Sequence, residues 1–503
     1  MIYQAKLEDF KRLIGKIEML DNTRNSLIYW DKITNMPADG IEYRSQVMAY
    51  LADEQYKLMS GREFNSYISY FKNNKRNDKM TDAMVRRICS NSGYVQKIPE
   101  AEYKDYVSLY TKAEKVWEKA KSEKNVEIML PYWAQIFNHF RNFAVYWGYE
   151  EKPYDALMGY YNQDLTVAKM DEMVEELKRV LIDYRERIHS AAETEVVELT
   201  DLPKVEEQKQ KQLWEMMLTE LGFSFEAGRV DVGSHPTMLS NSPYDVRIVN
   251  TYSEADFRNG IFNVLHCGGK AIYQQSISKD LMGTLLAEAP SWILEEAIGR
   301  FYENILGRSK GFWQYFHGKM TEIVPEIGRF TPCQLFKSAN CAEANAVRLE
   351  ADELTYLLHI IVRYEIEREI FDGTLDVEEI PAIWNWKYQD YLGICPEDDE
   401  DGVLQDIHWS AGYVGYFPTY IVANLAAAQI ADAIERDCGN LDDLAANGRF
   451  DVINDWLKEH IFRHGAIYTT TELIERATGK PLEATHYLDY LRNKFSEVYK
   501  INL

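Results

Sequence analysis

His266 and Lys270 lie four residues apart in the run FNVLHCGGKAIYQQ at 262–275, a spacing that places both side chains on one face of a helix. An imidazole there can bind a metal, whereas an ammonium has no acceptor lone pair at neutral pH and repels one. Cys267 between them invites a thiol nucleophile with a neighbouring base. Adjacent helical residues are about 100° apart, however, so Cys267 cannot simply point where His266 points. Taken alone, His266 on a helix rich in Phe and Leu reads as an ordinary core histidine. Arg247 and Arg348 are candidates of another kind, since a guanidinium holds a carboxylate through two parallel hydrogen bonds.

The elements that must position these groups are helical. AKLEDFKRLIGKIEML, TVAKMDEMVEELKRVLIDYRERIHSAA and LTYLLHIIVRYEIEREIF set apolar residues at three-and-four spacing with charges between. Thr166 and Thr471 mark helix starts, the latter with Glu472 in the first turn. RVDVGSHPTMLSNSPYDVRIVNTY at 229–252 is the best strand candidate, with β-branched residues broken by Gly, Pro, Asn and Ser. Gly268-Gly269 costs a helix about 1 kcal/mol per residue against Ala. That pair either loosens the helix or permits close packing. No internal repeat or low-complexity linker divides the chain.

The 503 residues and 46% hydrophobic content suffice for a large buried core. The net charge of −24, from 80 acidic against 56 basic residues, repels phosphate backbones and anionic lipid, so neither nucleic acid nor membrane is an expected partner. The acidic run CPEDDEDG at 395–402 is a solvated loop. Six scattered cysteines without a C-x-x-C pair give no disulfide framework. The charged N-terminus lacks the apolar core of a signal peptide. A cytoplasmic location is expected.

Longer runs carry a resemblance. LIYWDKITNMPADGIEYRSQVMAYLA at 27–52 looks like a W-D-x-x-x-x-M-P segment, and KPYDALMGYY at 152–161 like a Pro-Tyr-Asp-Ala-Leu stretch. Gly233-Ser234-His235-Pro236 and Asp245-Val246-Arg247 stand where H-P-F and D-x-R-x-T motifs are found, with Thr237 for the Phe and Val249 for the Thr. ANAVRLEADELTYLLHII at 344–361, GVLQDIHWSAGYVGYFPTY at 402–420 and RHGAIYTTTELIERATGKPL at 463–482 match more fully. Over roughly residues 10–500 the chain resembles the carboxypeptidase Taq family of zinc carboxypeptidases.

The resemblance implies an H-E-x-x-H helix whose histidines bind zinc and whose glutamate activates the bound water. Here His266 holds the first ligand position, Cys267 stands at the base and Lys270 at the second histidine. Counting thirty residues on gives Glu296 as third ligand, in LEEAIGRFYEN, with Arg300 retained and Glu295 in place of a histidine. Lys270 would then place its ammonium at the vacated metal position and pair with Glu296, which spares a buried carboxylate a penalty of several kcal/mol. The resemblance assigns substrate contacts to Arg348, Tyr420, Arg247, His235 and His408. Glu350, Asp352 and Glu353 offer Arg348 a structural network as the alternative.

The expected fold is mainly α-helical: a single continuous unit over 1–503, two lobes around a deep cleft, with a small sheet near the His266 helix. The expected function is that of a homologue of metal-dependent carboxypeptidases, inactive or weakly active, without a cofactor, binding peptides that have a free C-terminal carboxylate. The alternative is a working metallocarboxypeptidase holding zinc or cobalt through rearranged ligands such as His266, Glu296 and His235. A different hydrolase using Cys267 is a third reading. The resemblance also implies a homodimer.

Overall fold

The computed structural model describes residues 2–76, 78–162, 164–191, 199, 201–233, 235–254 and 256–503. Helices dominate, and the strands form a single three-stranded sheet of order β1-β3-β2. The chain resolves into two compact units. The first comprises Met1–Ser90, Leu199–Ala339 and Ala426–Pro481; the second comprises Asn91–Glu198, Asn340–Leu425 and Leu482–Leu503.

In the first unit, β1 (Gly228–Val232) runs parallel to β3 (Asp245–Asn250), and β2 (Thr237–Ser242) runs antiparallel to β3 with a bulge at Ser240/Ser242. The sheet lies where the β-branched run placed it. Val246, Ile248 and Val249 are buried, and the Asn250 amide donates to the Gly260 carbonyl at 2.9 Å, tying the sheet to the helix Phe257–Ser276. Arg229 and Arg247, register partners across β1 and β3, both stack on Trp30, at 5.1 and 4.3 Å from the ring centre. Trp30 Nε1 donates to Asp231 Oδ2 at 2.9 Å. Trp30 thus anchors its helical segment to the sheet, while Asp31 pairs with Arg44 at 2.6 Å.

The helix Phe257–Ser276 starts at Asp256, whose side chain accepts from the Arg258 amide. Its two adjacent glycines serve close packing. A Cβ on Gly268 would stand 2.4 Å from Leu218 Cδ2, and one on Gly269 would stand 2.5 Å from the Tyr302 ring. The helix Trp292–Arg300 packs beside it and continues into a π-helical turn, Phe301–Leu306. Near the unit's C-terminal end, the helix Thr470–Thr478 is capped by Thr469 and not by Thr471. Thr469 Oγ1 accepts from the Glu472 amide at 3.2 Å, and Glu472 accepts from the Thr469 amide at 2.8 Å. This reciprocal box needs the glutamate three residues after the cap, which Thr471 does not have.

In the second unit, Trp133, Trp384 and Trp409 meet edge to face around Phe137 and Phe417. The helix Tyr356–Asp372 is buried all round, charges included, and is not the one-sided amphipathic helix its pattern suggests. Each buried charge has its own answer. Lys387 meets Glu365 at 2.7 Å. Asp406 meets Arg363 at 2.6 Å. Glu367 accepts from Tyr154 Oη, Trp409 Nε1 and the Gly415 amide at 2.6–2.7 Å, while burial still pushes its carboxyl up to about 7. The start at Thr166 holds, with Oγ1 accepting from the Lys169 amide at 3.4 Å. Among the described residues no helix is long and apolar enough to cross a membrane.

Candidate functional site

His266 and Lys270 project from the helix Phe257–Ser276 toward the helix Trp292–Arg300 and converge on Glu296. Lys270 Nζ lies 2.8 Å from Glu296 Oε2, and His266 Nε2 lies 3.2 Å from the same oxygen. The other oxygen, Oε1, accepts from Arg300 Nε at 3.1 Å. Burial alone would raise the Glu296 carboxyl, but Lys270, His266 and Arg300 hold it well below the ordinary carboxylate range. Burial works against the Lys270 charge as well, and Glu296 and Glu295 overcome it, so the ammonium titrates above its usual value. The pair is ionised at neutral pH.

A further residue, one that no motif in the sequence singled out, completes the cluster. Glu303, in the π-helical turn, accepts at His266 Nδ1 at 3.0 Å and lies 3.4 Å from Arg300 and 3.8 Å from Arg308. Burial would raise its carboxyl, yet Arg300 and the hydrogen bond to His266 bring it down to about 2. A carboxylate on the far nitrogen is how proteins commonly fix the ring of a ligating histidine. Gly299 makes room for that ring: a Cβ there would stand 2.6 Å from His266 Cε1. The sequence did hold a signal, a lone acid in the apolar run FYENIL one helical stretch after Glu296.

Cys267 is buried, 3% exposed, and burial pushes its thiol up to about 12. A thiol that stays protonated is neither nucleophile nor base. Glu295 is half-buried, and burial raises its carboxyl despite the charge of Lys270. Among the described residues no group of three or more His, Cys, Asp and Glu side chains is placed to hold a metal ion.

The remaining candidates occupy other positions. In the first unit, Arg247 is engaged by Asp245 through Nε and Nη2 at 2.8 and 3.0 Å, and His235 is exposed in the turn before β2. Ser234, beside it, lies outside the described residues. In the second unit, Arg348 is 6% exposed and its carboxylate partner is Asp406, with Nη2 to Oδ1 at 2.7 Å and Nε to both oxygens at 3.2 Å. None of the three neighbouring acids takes that place. Glu350 accepts from Asn345, Asp352 from Thr355, and Glu353 from Lys494. The Arg348 guanidinium sits over Tyr420 at 5.6 Å, and its Nη1 reaches Tyr356 Oη at 3.5 Å. His408 stacks on Tyr416 with Nδ1 3.7 Å from Asp406, and burial holds its ring down to about 4 against the pull of that carboxylate.

A mainly helical body with a small sheet, a half-buried His-Glu pair on adjacent helices and an acid behind the histidine is the framework of a helical metallopeptidase. The chain belongs to the carboxypeptidase Taq (M32) metallopeptidase family, whose model matches residues 9–495. It is 37% identical over 481 residues to "Carboxypeptidase 1" of Bacillus subtilis, covering 94% of this chain and 95% of that one. "Thermostable carboxypeptidase 1" of Thermus thermophilus is 33% identical over 509 residues, with 99% of both chains covered. The crystal structure of an M32 carboxypeptidase from Deinococcus radiodurans R1 superposes with a TM-score of 0.94 at 27% identity, covering 99% of this chain and 100% of that one.

Proposed function

We propose that this chain is a peptide-binding member of the family that does not perform metal-dependent hydrolysis. The observation that carries the reading is the meeting of Lys270 and His266 on one oxygen of Glu296, at 2.8 and 3.2 Å. Zinc needs three or four donors at about 2.0–2.3 Å. The side chains present offer an imidazole, a carboxylate and a charged ammonium, and that set does not suit zinc. The positive charge that a metal would supply to Glu296 comes instead from a side chain. Cys267, at the position of the water-activating glutamate, has no carboxylate to offer.

Peptide recognition is assigned to Arg348 and Tyr420. Asp406 takes the Nε and Nη2 edge of Arg348, and Nη1, which also reaches the Tyr356 hydroxyl at 3.5 Å, is the edge assigned to a peptide's terminal carboxylate. Two guanidinium groups, Arg348 and Arg363, share the single carboxylate of Asp406, so a further anion is the charge this cluster lacks. Both readings fit a dimer of two copies, which sedimentation at micromolar concentration checks.

A second reading has its own support. The family is one of metallopeptidases, and two curated relatives named as carboxypeptidases align over nearly the whole chain. On that reading His266 and Glu296 bind zinc or cobalt with a third ligand such as His235. Metal analysis of protein purified without chelator separates the two. Far less than one metal per chain, with no chelator-sensitive release of C-terminal residues, is expected. About one zinc or cobalt per chain would overturn the proposal.

A further inference from the structure

Among the described residues, the stretch between the helices Ile380–Leu392 and Pro418–Cys438 has no helix or strand, yet Leu404, Trp409, Ser410, Val414 and Phe417 within it are buried. Polar groups buried outside regular structure must find hydrogen-bond partners elsewhere. The helix Tyr356–Asp372 holds this stretch at two points from one face, since Arg363 and Glu367 stand four residues apart. Arg363 meets Asp406 as an ion pair at 2.6 Å. Glu367 accepts from Trp409 Nε1 through Oε1 and from the Gly415 amide through Oε2, both at 2.7 Å, and Oε2 also accepts from Tyr154 Oη at 2.6 Å. Gly415 lies at φ +79°, and a Cβ there would stand 2.8 Å from the Leu157 backbone, so the turn that brings this amide to Glu367 has to be made by glycine.

The two ties differ in kind. Asp406 has two guanidinium partners, whereas Glu367 is fully buried and makes no ion pair among the described residues. Its partners are all neutral, and all are donors. An ionised carboxylate accepts every one of these bonds. A protonated one must present its O–H to a group that can accept it, and neither an indole N–H nor an amide N–H can. Tyr154 Oη can accept by reversing its bond to Oε2. The Gly415 bond to that same oxygen then loses its charge assistance, which is about half the strength of such a bond. One proton therefore weakens the Gly415 end of the stretch while the Asp406 end stays ionic.

We propose that Glu367 is a proton-operated latch on the segment 402–417: ionised, it holds Trp409 and Gly415 in place, and protonated, it lets this part of the segment loosen. Its consequence for binding rests on the peptide-binding reading above, because the same segment carries Asp406, the carboxylate that orients Arg348. Burial and the three donors pull the Glu367 carboxyl in opposite directions and leave it at about 7, so the latch works near neutrality. The groups that face it do not change charge there. Burial keeps the phenols of Tyr154 and Tyr161, on the helix Pro153–Tyr161, and of Tyr364, on its own helix, protonated far above neutrality. On the segment, Arg363 and Arg348 hold Asp406 ionised against burial, and burial keeps the His408 ring down at about 4. Arg141, on the helix Leu130–Trp147, donates to the Ile370 carbonyl. Asp352, before the first turn of the Glu367 helix, is raised to about 6 by burial, and a variant at position 367 leaves its titration in place.

Full-length protein carrying isotope-labelled tryptophan reads the latch directly. The Trp409 indole N–H resonance, assigned by its loss in Trp409→Phe, should shift between pH 6 and pH 8 with a midpoint near 7, and should lose that midpoint in Glu367→Gln. Tyr154→Phe removes one donor from Oε2 and should move the midpoint upward, which keeps the latch testable if Glu367→Gln does not fold. Hydrogen exchange over 402–417, corrected for the intrinsic effect of pH, should quicken by about threefold or more from pH 8 to pH 6 in the parent and stay fast at both in Glu367→Gln. A peptide with a free C-terminal carboxylate should bind roughly tenfold more weakly at pH 6 than at pH 8, the ratio of latched fractions for a midpoint near 7. In Glu367→Gln it should bind weakly at both, and any change that persists there belongs to Asp352. An indole resonance that stays fixed from pH 6 to pH 8 in the parent, or a midpoint that survives Glu367→Gln, overturns the latch. A titrating resonance with the same affinity at both pH values overturns its link to binding. If no peptide binds at either pH, the peptide-binding reading falls, and the latch stands or falls on the indole resonance and the exchange alone.

Discussion

Lys270 Nζ and His266 Nε2 share a single carboxylate oxygen, Glu296 Oε2, at 2.8 and 3.2 Å. The far nitrogen of His266 meets Glu303 at 3.0 Å, and Arg300 spans both carboxylates at 3.1 and 3.4 Å. Two carboxylates, one ammonium, one guanidinium and one imidazole therefore balance each other within two adjacent helices. The lysine at position 270 supplies a positive charge directly to Glu296.

Removal of the ammonium should be costly. In Lys270→Ala, Glu296 keeps only His266 and Arg300 as partners, and its side chain is 19% exposed. Breaking one side of a buried pair typically costs about 3–5 kcal/mol. The presence of Arg300 puts the expected loss at the low end of that range. Chemical denaturation should show the drop, and the double variant Lys270→Ala, Glu296→Ala should recover part of it. A Lys270→Ala variant as stable as the parent would place the ammonium away from Glu296.

The Lys270–Glu296 contact was legible from the helical period together with the family resemblance, which supplies the count to the glutamate. Four residues put Lys270 on the face of His266, and thirty residues reach Glu296. Glu303 was not legible in the same way, because its position depends on the π-helical turn Phe301–Leu306, which widens the helix after Arg300. Asp406 was missed for another reason. It lies 58 residues from Arg348, and only the folded second unit brings the two together, whereas the three acids adjacent in sequence each have other donors. The helix Tyr356–Asp372 shows the same limit. Alternating charges read as a wet face until Asp406, Lys387 and Tyr154 supply buried partners.

Acid should loosen the cluster. The Glu303 carboxyl titrates at about 2 in the folded protein, below its ordinary value of 4.5, and Glu296 is also depressed. A depressed carboxyl stabilises the fold above its unfolded value, and that contribution is lost as pH falls from about 4.5 through the folded value. The melting temperature should fall steeply between pH 5 and pH 2, and less steeply in Glu303→Gln. Parallel slopes for the two proteins would remove Glu303 from the cluster's titration.

Recognition of a C-terminal carboxylate can be tested on one peptide in two forms. If Nη1 of Arg348 takes that group, a peptide acid should bind more tightly than its amide, by roughly tenfold for one charge-assisted hydrogen bond. Arg348→Lys should abolish the difference, because an ammonium cannot serve Asp406 and the peptide through separate edges. The variant must be checked for folding, since Asp406 would keep Arg363 as its one remaining guanidinium. Equal affinity for acid and amide in titration calorimetry would leave Arg348 a purely structural group.

Rebuilding the metal site separates a compensated relic from a working enzyme. Lys270→His removes the ammonium and sets a second imidazole four residues after His266, on the same helical face. With Glu296 that gives three protein ligands, the usual number for a catalytic zinc. Glu303 already stands behind His266, so the first imidazole has its ring fixed. The variant should take up about one zinc per chain where the parent takes none. Hydrolysis should stay poor, because the buried thiol of Cys267, pushed up to about 12, cannot accept a proton from water. Adding Cys267→Glu should raise turnover by about 10²–10⁴-fold, the usual contribution of general acid–base assistance. Glycines 268 and 269 leave little slack, since Leu218 and Tyr302 pack directly on them, so the new carboxylate must reach the metal without a shift of this helix. Zinc uptake without activity in the double variant would point to Glu295 or Thr237, where the resemblance implies other residues, as the remaining block. Stoichiometric zinc and chelator-sensitive peptide cleavage in the unaltered chain would defeat the relic reading outright, and Lys270 would then have to leave Glu296 when the metal arrives.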